Sequence, residues 1–139
     1  MRILGVDPGK SGGFALSNGE HAEAYDHHTP QEIVALLRSW APDKAYLEQV
    51  GAFPGQGVVS CFHFGENYGW WQGVLTSLGI PFERVTPIKW QTKMGCRTGG
   101  DKNISKQKAQ ELWPKLKITH ATADALLIAE YGRRVEAEL

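Results

Sequence analysis

The sequence predicts one α/β domain over residues 1–139, built on a mixed five-stranded sheet flanked by helices. Three observations carry this reading. The first 25 residues hold three short strand patterns separated by turn signals. Two further apolar strand runs follow, each preceded by a helical pattern, and the last third of the chain is helical throughout. The length of 139 residues, with 42% hydrophobic and 22% charged residues, suits one ordinary core and excludes a disordered chain.

The elements follow in order. Ile3 to Val6 is a short apolar run closed by Asp7-Pro8-Gly9, a buried strand ending in a turn. Gly12 to Ser17 is a second strand, and Asn18-Gly19 is a hairpin signal that returns the chain as a third, His21 to Tyr25. Thr29-Pro30 opens a helix, with Thr29 as cap, Pro30 at the first position and Glu32 as capping-box acid. Ile33, Val34, Leu36, Leu37 and Trp40 give that helix its apolar face, and Ala41-Pro42-Asp43 ends it. Lys44 to Val50 is the fourth strand, followed by a glycine-rich loop, Gly51 to Gly57, that carries Phe53. Cys61 to Leu78 is a long aromatic helix, and Ile80 to Val85 is the fifth strand. A short helix or turn over Pro87 to Lys93, a lysine-rich helix from Asp101 to Leu112 and a closing helix from Thr119 to about Arg133 complete the chain.

Bulk charge points nowhere, since 15 basic and 15 acidic residues cancel. Their distribution is uneven: Lys89, Lys93, Arg97, Lys102, Lys106, Lys108 and Lys115 lie between Arg84 and Lys117, against only Asp101 and Glu111. A neutral protein can thereby present a basic face, as phosphate contact requires. Cys61 and Cys96 stand far apart, which excludes a disulfide scaffold and suits a reducing compartment. A zinc site from Cys61, His63 and Cys96 lacks paired ligand spacing, and idle thiols are the better reading. Charge enters within the first few residues and no later apolar run is long enough for a membrane, so the expected protein is soluble and cytoplasmic.

The chemistry rests on acids in apolar places. Asp7 ends a buried strand, where a carboxylate is costly unless compensated. Alone it could simply cap the Pro8-Gly9 turn. Glu48 stands in the apolar run Ala45-Tyr46-Leu47-Glu48-Gln49-Val50, an unfavourable place for glutamate, on what would be an adjacent strand. His120 and Asp124, four apart, share one face of the last helix. Ala121, Ala123, Ala125 and Ala129 would let that helix approach the sheet closely. Clustered carboxylates repel one another and hold protons unless a cation intervenes. Mg²⁺ or Mn²⁺ suits such oxygen ligands, and two ions about 3.5–4 Å apart clamp the attacking and leaving oxygens of a phosphodiester. A histidine among the ligands favours manganese somewhat. No serine or cysteine nucleophile paired with a base is visible.

Gly5-Val6-Asp7-Pro8-Gly9, Leu47-Glu48-Gln49-Val50 and Ala123-Asp124-Ala125-Leu126 resemble, in order, the three signature segments of RuvC-like Holliday-junction resolvases, of ribonuclease H-like fold. The likeness spans nearly the whole chain and is closest to phage-type and chloroplast-type members. It extends to the segment from Phe64 to Trp71, to Pro87-Ile88-Lys89-Trp90 and to Ser105-Lys106. The resemblance implies a homodimer that nicks the two sides of a four-way DNA junction symmetrically, leaving ligatable ends. It implies Asp7, Glu48 and Asp124 as metal-binding catalytic acids around two Mg²⁺ or Mn²⁺ ions, with no small-molecule cofactor. His120 would be a fourth ligand, lying four residues before the last acid as in chloroplast-type members, whereas bacterial enzymes have an acid or histidine where this chain has Ala121. By the same resemblance Phe53, shifted by Gly51-Ala52, would stack on junction bases. Lys89, Lys102 and Lys106 are the expected phosphate contacts, and the aromatic stripe from Phe62 to Trp71 is expected in core and dimer interface. A bacterial or phage-encoded enzyme acting in the cytoplasm is expected.

Three rivals are weaker. Gly5 to Ser11 is one residue short of a nucleotide P-loop and runs into a strand where that loop needs a helix. Sugar-kinase-like ATPases of the same fold need two lobes, and nothing in that class calls for Glu48 and Asp124 together. A flap or general branched-DNA nuclease, or a junction-binding protein without catalysis, remains the alternative function.

Overall fold

The computed structural model describes residues 1–26, 28–51 and 54–139. Five strands form one sheet: β1 (Ile3–Asp7), β2 (Gly13–Ser17), β3 (Ala22–Tyr25), β4 (Lys44–Glu48) and β5 (Phe82–Val85), in the spatial order β3-β2-β1-β4-β5. The hairpin strands are antiparallel, Leu4 facing Leu16 and Leu16 facing Glu23. β4 and β5 join in parallel, with Val6 beside Leu47 and Glu48 beside Val85. Five helices cover the sheet: α1 (Pro30–Trp40), α2 (Val58–Ser77), α3 (Pro87–Met94), α4 (Lys102–Leu112) and α5 (His120–Ala137). The expected mixed sheet flanked by helices is the observed architecture.

Strand alternation divides the interior into two layers. Leu4, Val6, Phe14, Ala45 and Leu47 point to one face and pack with Ile33, Leu37, Trp40, Trp71 and Leu75 of α1 and α2. Ile3, Ala15, Tyr46 and Val85 point to the other and pack under α3, α4 and α5. By the same alternation Asp7, two residues beyond Gly5, and Glu48, two beyond Tyr46, lie on the α5 face. The sheet therefore aims both acids at the helix that carries Asp124.

α5 crosses β1 in backbone contact. A Cβ on Gly5 would meet the Ala125 carbonyl and the Ala129 amide, and one on Gly13 would lie 2.6 Å from the Ala121 carbonyl oxygen. Further along, Gly132 gives room to the Tyr46 ring. Thr119 and Thr122 cap the helix reciprocally, each side chain serving the other's backbone amide, so the phase of the helix is set one turn before Asp124.

Several boundaries differ from the sequence reading for identifiable reasons. α5 continues to Ala137, where Lys44 grips Glu136 at 3.0 Å and Lys93 grips Glu138 at 2.7 Å, cross-element ties that no periodicity reveals. α2 begins at Val58, a turn before Cys61, with Gly57 as a cap that makes no side-chain hydrogen bond. β4 ends at Glu48, although the Gln49 amide still donates to the Val85 carbonyl at 2.7 Å.

Candidate active site

Asp7 and Glu48 sit at the carboxyl ends of neighbouring parallel strands, where open α/β sheets present their ligands. Asp124 reaches them from the second turn of α5. The three acids line one cleft of about 300 Å³, together with Ser11, Phe64, Gln91, Thr98, Lys102, Ser105 and His120. All three are partly buried.

Burial governs their protonation. Asp7 is pushed well above the ordinary carboxylate range, first by desolvation, then by the charges of Glu48 and Asp124, with Lys102 opposing. Glu48 is raised by desolvation, against the stabilising hydrogen bond from Trp90. Asp124 is raised by desolvation too, with Ser105, Lys102 and His120 pulling the other way. The Asp7 and Glu48 carboxyls lie within hydrogen-bonding range of each other, and the arrangement favours the proton on Asp7. Carboxylates gathered in this way hold protons unless a cation offsets their charge. Among the described residues, no three His, Cys, Asp or Glu side chains are already drawn together as a ligand shell. The donor set nevertheless suits a hard divalent ion: three half-buried carboxylates from three elements, facing one cleft.

The local supports come from α2, α3 and α4. The Trp90 indole N–H donates to Glu48 Oε2 at 2.8 Å. The Ser105 hydroxyl stands between the Lys102 carbonyl, at 3.1 Å, and the Asp124 carboxyl. Having one proton, it donates to whichever needs it: to Asp124 when that acid is ionised, to Lys102 when Asp124 itself donates. The Asn67 side chain accepts from the Gly9 amide at 2.7 Å and so ties the turn after Asp7 to α2.

The other sequence-derived residues are dispersed. His120 is the exposed first residue of α5, on the rim of the cleft. Lys102, exposed at the start of α4, lines the cleft and bears electrostatically on all three acids. Lys106 is half-buried one turn further along α4, and Lys89 is exposed on α3; neither lines the cleft. Phe53 lies outside the described residues. Cys96 is buried and Cys61 is on α2, far from forming a zinc shell among the described residues. The roles of Trp90, Ser105 and Asn67 escaped sequence reasoning, because each partner is distant in the chain: Trp90 and Glu48 are 42 residues apart and Gly9 and Asn67 are 58 apart.

The sheet order and its helices make a ribonuclease H-like fold, with three acids lining a cleft at the strand ends. No family model matches the chain. The crossover junction endodeoxyribonuclease RuvC of Thermomicrobium roseum is 29% identical to it, the match covering 99% of this chain and 98% of that protein. Among solved structures, Thermus thermophilus RuvC bound to a Holliday-junction substrate superposes with a TM-score of 0.70 at 16% identity, covering 97% of this chain and 96% of that one. The yeast mitochondrial Holliday junction resolvase gives a TM-score of 0.55 at 13% identity, covering 99% and 81%. The structural matches establish the fold. The sequence match adds a similarity to a RuvC resolvase that runs the full length of the chain.

Proposed function

We propose that this chain is a metal-dependent endodeoxyribonuclease that resolves four-way DNA junctions by paired, symmetric nicks, with residues 1–139 as its single nuclease domain. The observation that carries this is the convergence of Asp7, Glu48 and Asp124, from two strands and a helix, on one half-buried cleft in a chain similar to a RuvC resolvase. These acids would hold two Mg²⁺ or Mn²⁺ ions, with His120 joining from the rim. Bound there, the metal supplies Lewis-acid polarisation of the phosphodiester and activation of the attacking water. The chain's own contributions are separable. Burial keeps the acids poised to release protons when a cation binds. Lys102 faces the same cleft as the acids and offers a positive charge to the phosphate there. Lys106 and Lys89 extend positive charge along α4 and α3, where DNA backbone would run, and Phe53 is the proposed base-stacking residue.

Synthetic four-way junctions, flaps and plain duplex, each offered with Mg²⁺ or Mn²⁺, distinguish the readings. Paired nicks on the junction are expected. Equal cutting of flaps would favour a general branched-DNA nuclease, and binding without cutting would favour a junction-binding protein.

A homodimer would set two such clefts on one junction, and α2 is the proposed contact. Its apolar residues are spread around the helix and not gathered on one face, yet among them only Trp71 and Leu75 are buried. Val58, Val59 and Phe62 are 86%, 69% and 66% exposed, more than a free helix face favours. Gly65, Gly69 and Gly73 recur every fourth residue along its outer side, and a Cβ at any of them would meet nothing within 4 Å. Glycines cost an exposed helix about 1 kcal/mol each relative to alanine, and their usual compensation is close approach of another helix. Gly69→Leu should therefore yield a folded monomer by light scattering that no longer cuts junction strands in pairs. A Gly69→Leu chain that remained dimeric would place the interface elsewhere.

No described helix is long and apolar enough to cross a membrane. Action in the cytoplasm of a bacterial or phage-infected cell is the setting proposed.

A further inference from the structure

We propose that Trp90 is a positioning residue for metal binding: its indole N–H holds one oxygen of Glu48 so that the other faces the cation. This rests on the metal-dependent reading above. Three observations support it. Trp90 is fully buried on α3, its single donor aimed at Glu48 Oε2 at 2.8 Å. A buried indole needs one acceptor, and a backbone carbonyl would serve; a half-buried carboxylate is a costly partner unless that carboxylate is wanted there. The approach is also firmly built. Thr86 caps α3 by accepting from the Lys89 amide, Pro87 takes the first turn, and β5 runs directly into the cap with Val85 beside Glu48.

The consequence concerns orientation. Glu48 is the last residue of its strand, and the pairing beside it with β5 fixes its backbone but does little to restrain its side chain. Its two free side-chain torsions beyond Cβ would let the carboxyl turn either oxygen, or neither, toward the cleft. The indole removes that freedom by pinning one of the two oxygens. Partners that orient a ligand in this way are worth about 10–100-fold in metal affinity.

The test is Mn²⁺ binding by titration calorimetry to the full chain, without DNA. Trp90→Phe should weaken Mn²⁺ binding by about 10–100-fold, with junction binding in the absence of metal unchanged. Trp40→Phe, which alters a buried indole on the other face of the sheet, should leave Mn²⁺ affinity within twofold of the parent. Should Trp90→Phe fail to fold, 3-benzothienylalanine at position 90 fills the same space with sulfur in place of the N–H, and the same loss is expected. Parental Mn²⁺ affinity in either folded variant overturns the proposal while leaving the nuclease reading intact. A parent chain that binds no Mn²⁺, or binds it undiminished after Asp7→Asn, overturns that reading and this inference together.

Discussion

Asp7→Asn should sharply slow junction cleavage while raising the melting temperature of the protein measured without added metal. The two effects share a cause. Asp7 is raised by burial and by the charges of Glu48 and Asp124. An acid whose folded pKa exceeds its unfolded value binds its proton more tightly in the native state. Its ionisation therefore destabilises the fold, progressively as pH rises from the ordinary value of 3.8 to the raised folded value, and constantly above that. Asparagine cannot ionise, so the variant should lose this pH dependence and melt higher than the parent at neutral pH. Its cleavage should fall by about 10³-fold, the equivalent of about 4 kcal/mol of lost transition-state stabilisation at 1.36 kcal/mol per decade. Junction binding should persist, since affinity comes mainly from phosphate contacts. Adding Mn²⁺ should stabilise the parent far more than the variant. Differential scanning with and without Mn²⁺, beside a nicking assay, reads all of this. Normal cutting by Asp7→Asn would refute the site assignment.

Gly5→Ala should damage both stability and turnover, although it adds a single methyl. The new Cβ would enter the backbone of α5, 2.9 Å from the Ala129 Cα and closer still to its amide and to the Ala125 carbonyl. Backbone cannot rotate aside as a side chain can. Overpacking of this kind costs about 1–3 kcal/mol, with the upper end expected here, or a loss of roughly 10 °C in melting temperature. Whatever relief occurs must lift α5 from β1, and α5 carries Asp124. A displacement of about 1 Å at reacting groups can cost on the order of 10²-fold in rate. The variant should thus be both less stable and, at temperatures where it is folded, slower at saturating metal. A Gly5→Ala protein with parental melting and parental turnover would mean that α5 sits further from the sheet than described.

The candidate acids were legible before any coordinates, because each violates a local rule. Asp7 and Glu48 are carboxylates in apolar strands, and Asp124 interrupts an alanine- and leucine-rich helix. The element order was equally legible, since strand alternation, the Asn18-Gly19 turn and the Thr29-Pro30 cap are short-range signals. The supports were not. Nothing near Trp90 in the chain says that its indole will meet Glu48, nothing near Asn67 says that it will hold the Gly9 amide, and Lys44 gives no sign that it will secure Glu136.

Local patterning, in short-range backbone and burial preferences, determined which residues form strands and helices and which acids are out of place. Only the folded packing decided that a glycine on β1 lets α5 touch the sheet, that Lys102 rather than Lys89 or Lys106 lines the acid cleft, and that α3 and α4 brace the acids from the side. The physical reason is range: propensity and periodicity act over a few residues, whereas close contact and electrostatic coupling depend on distances in space that the fold alone creates.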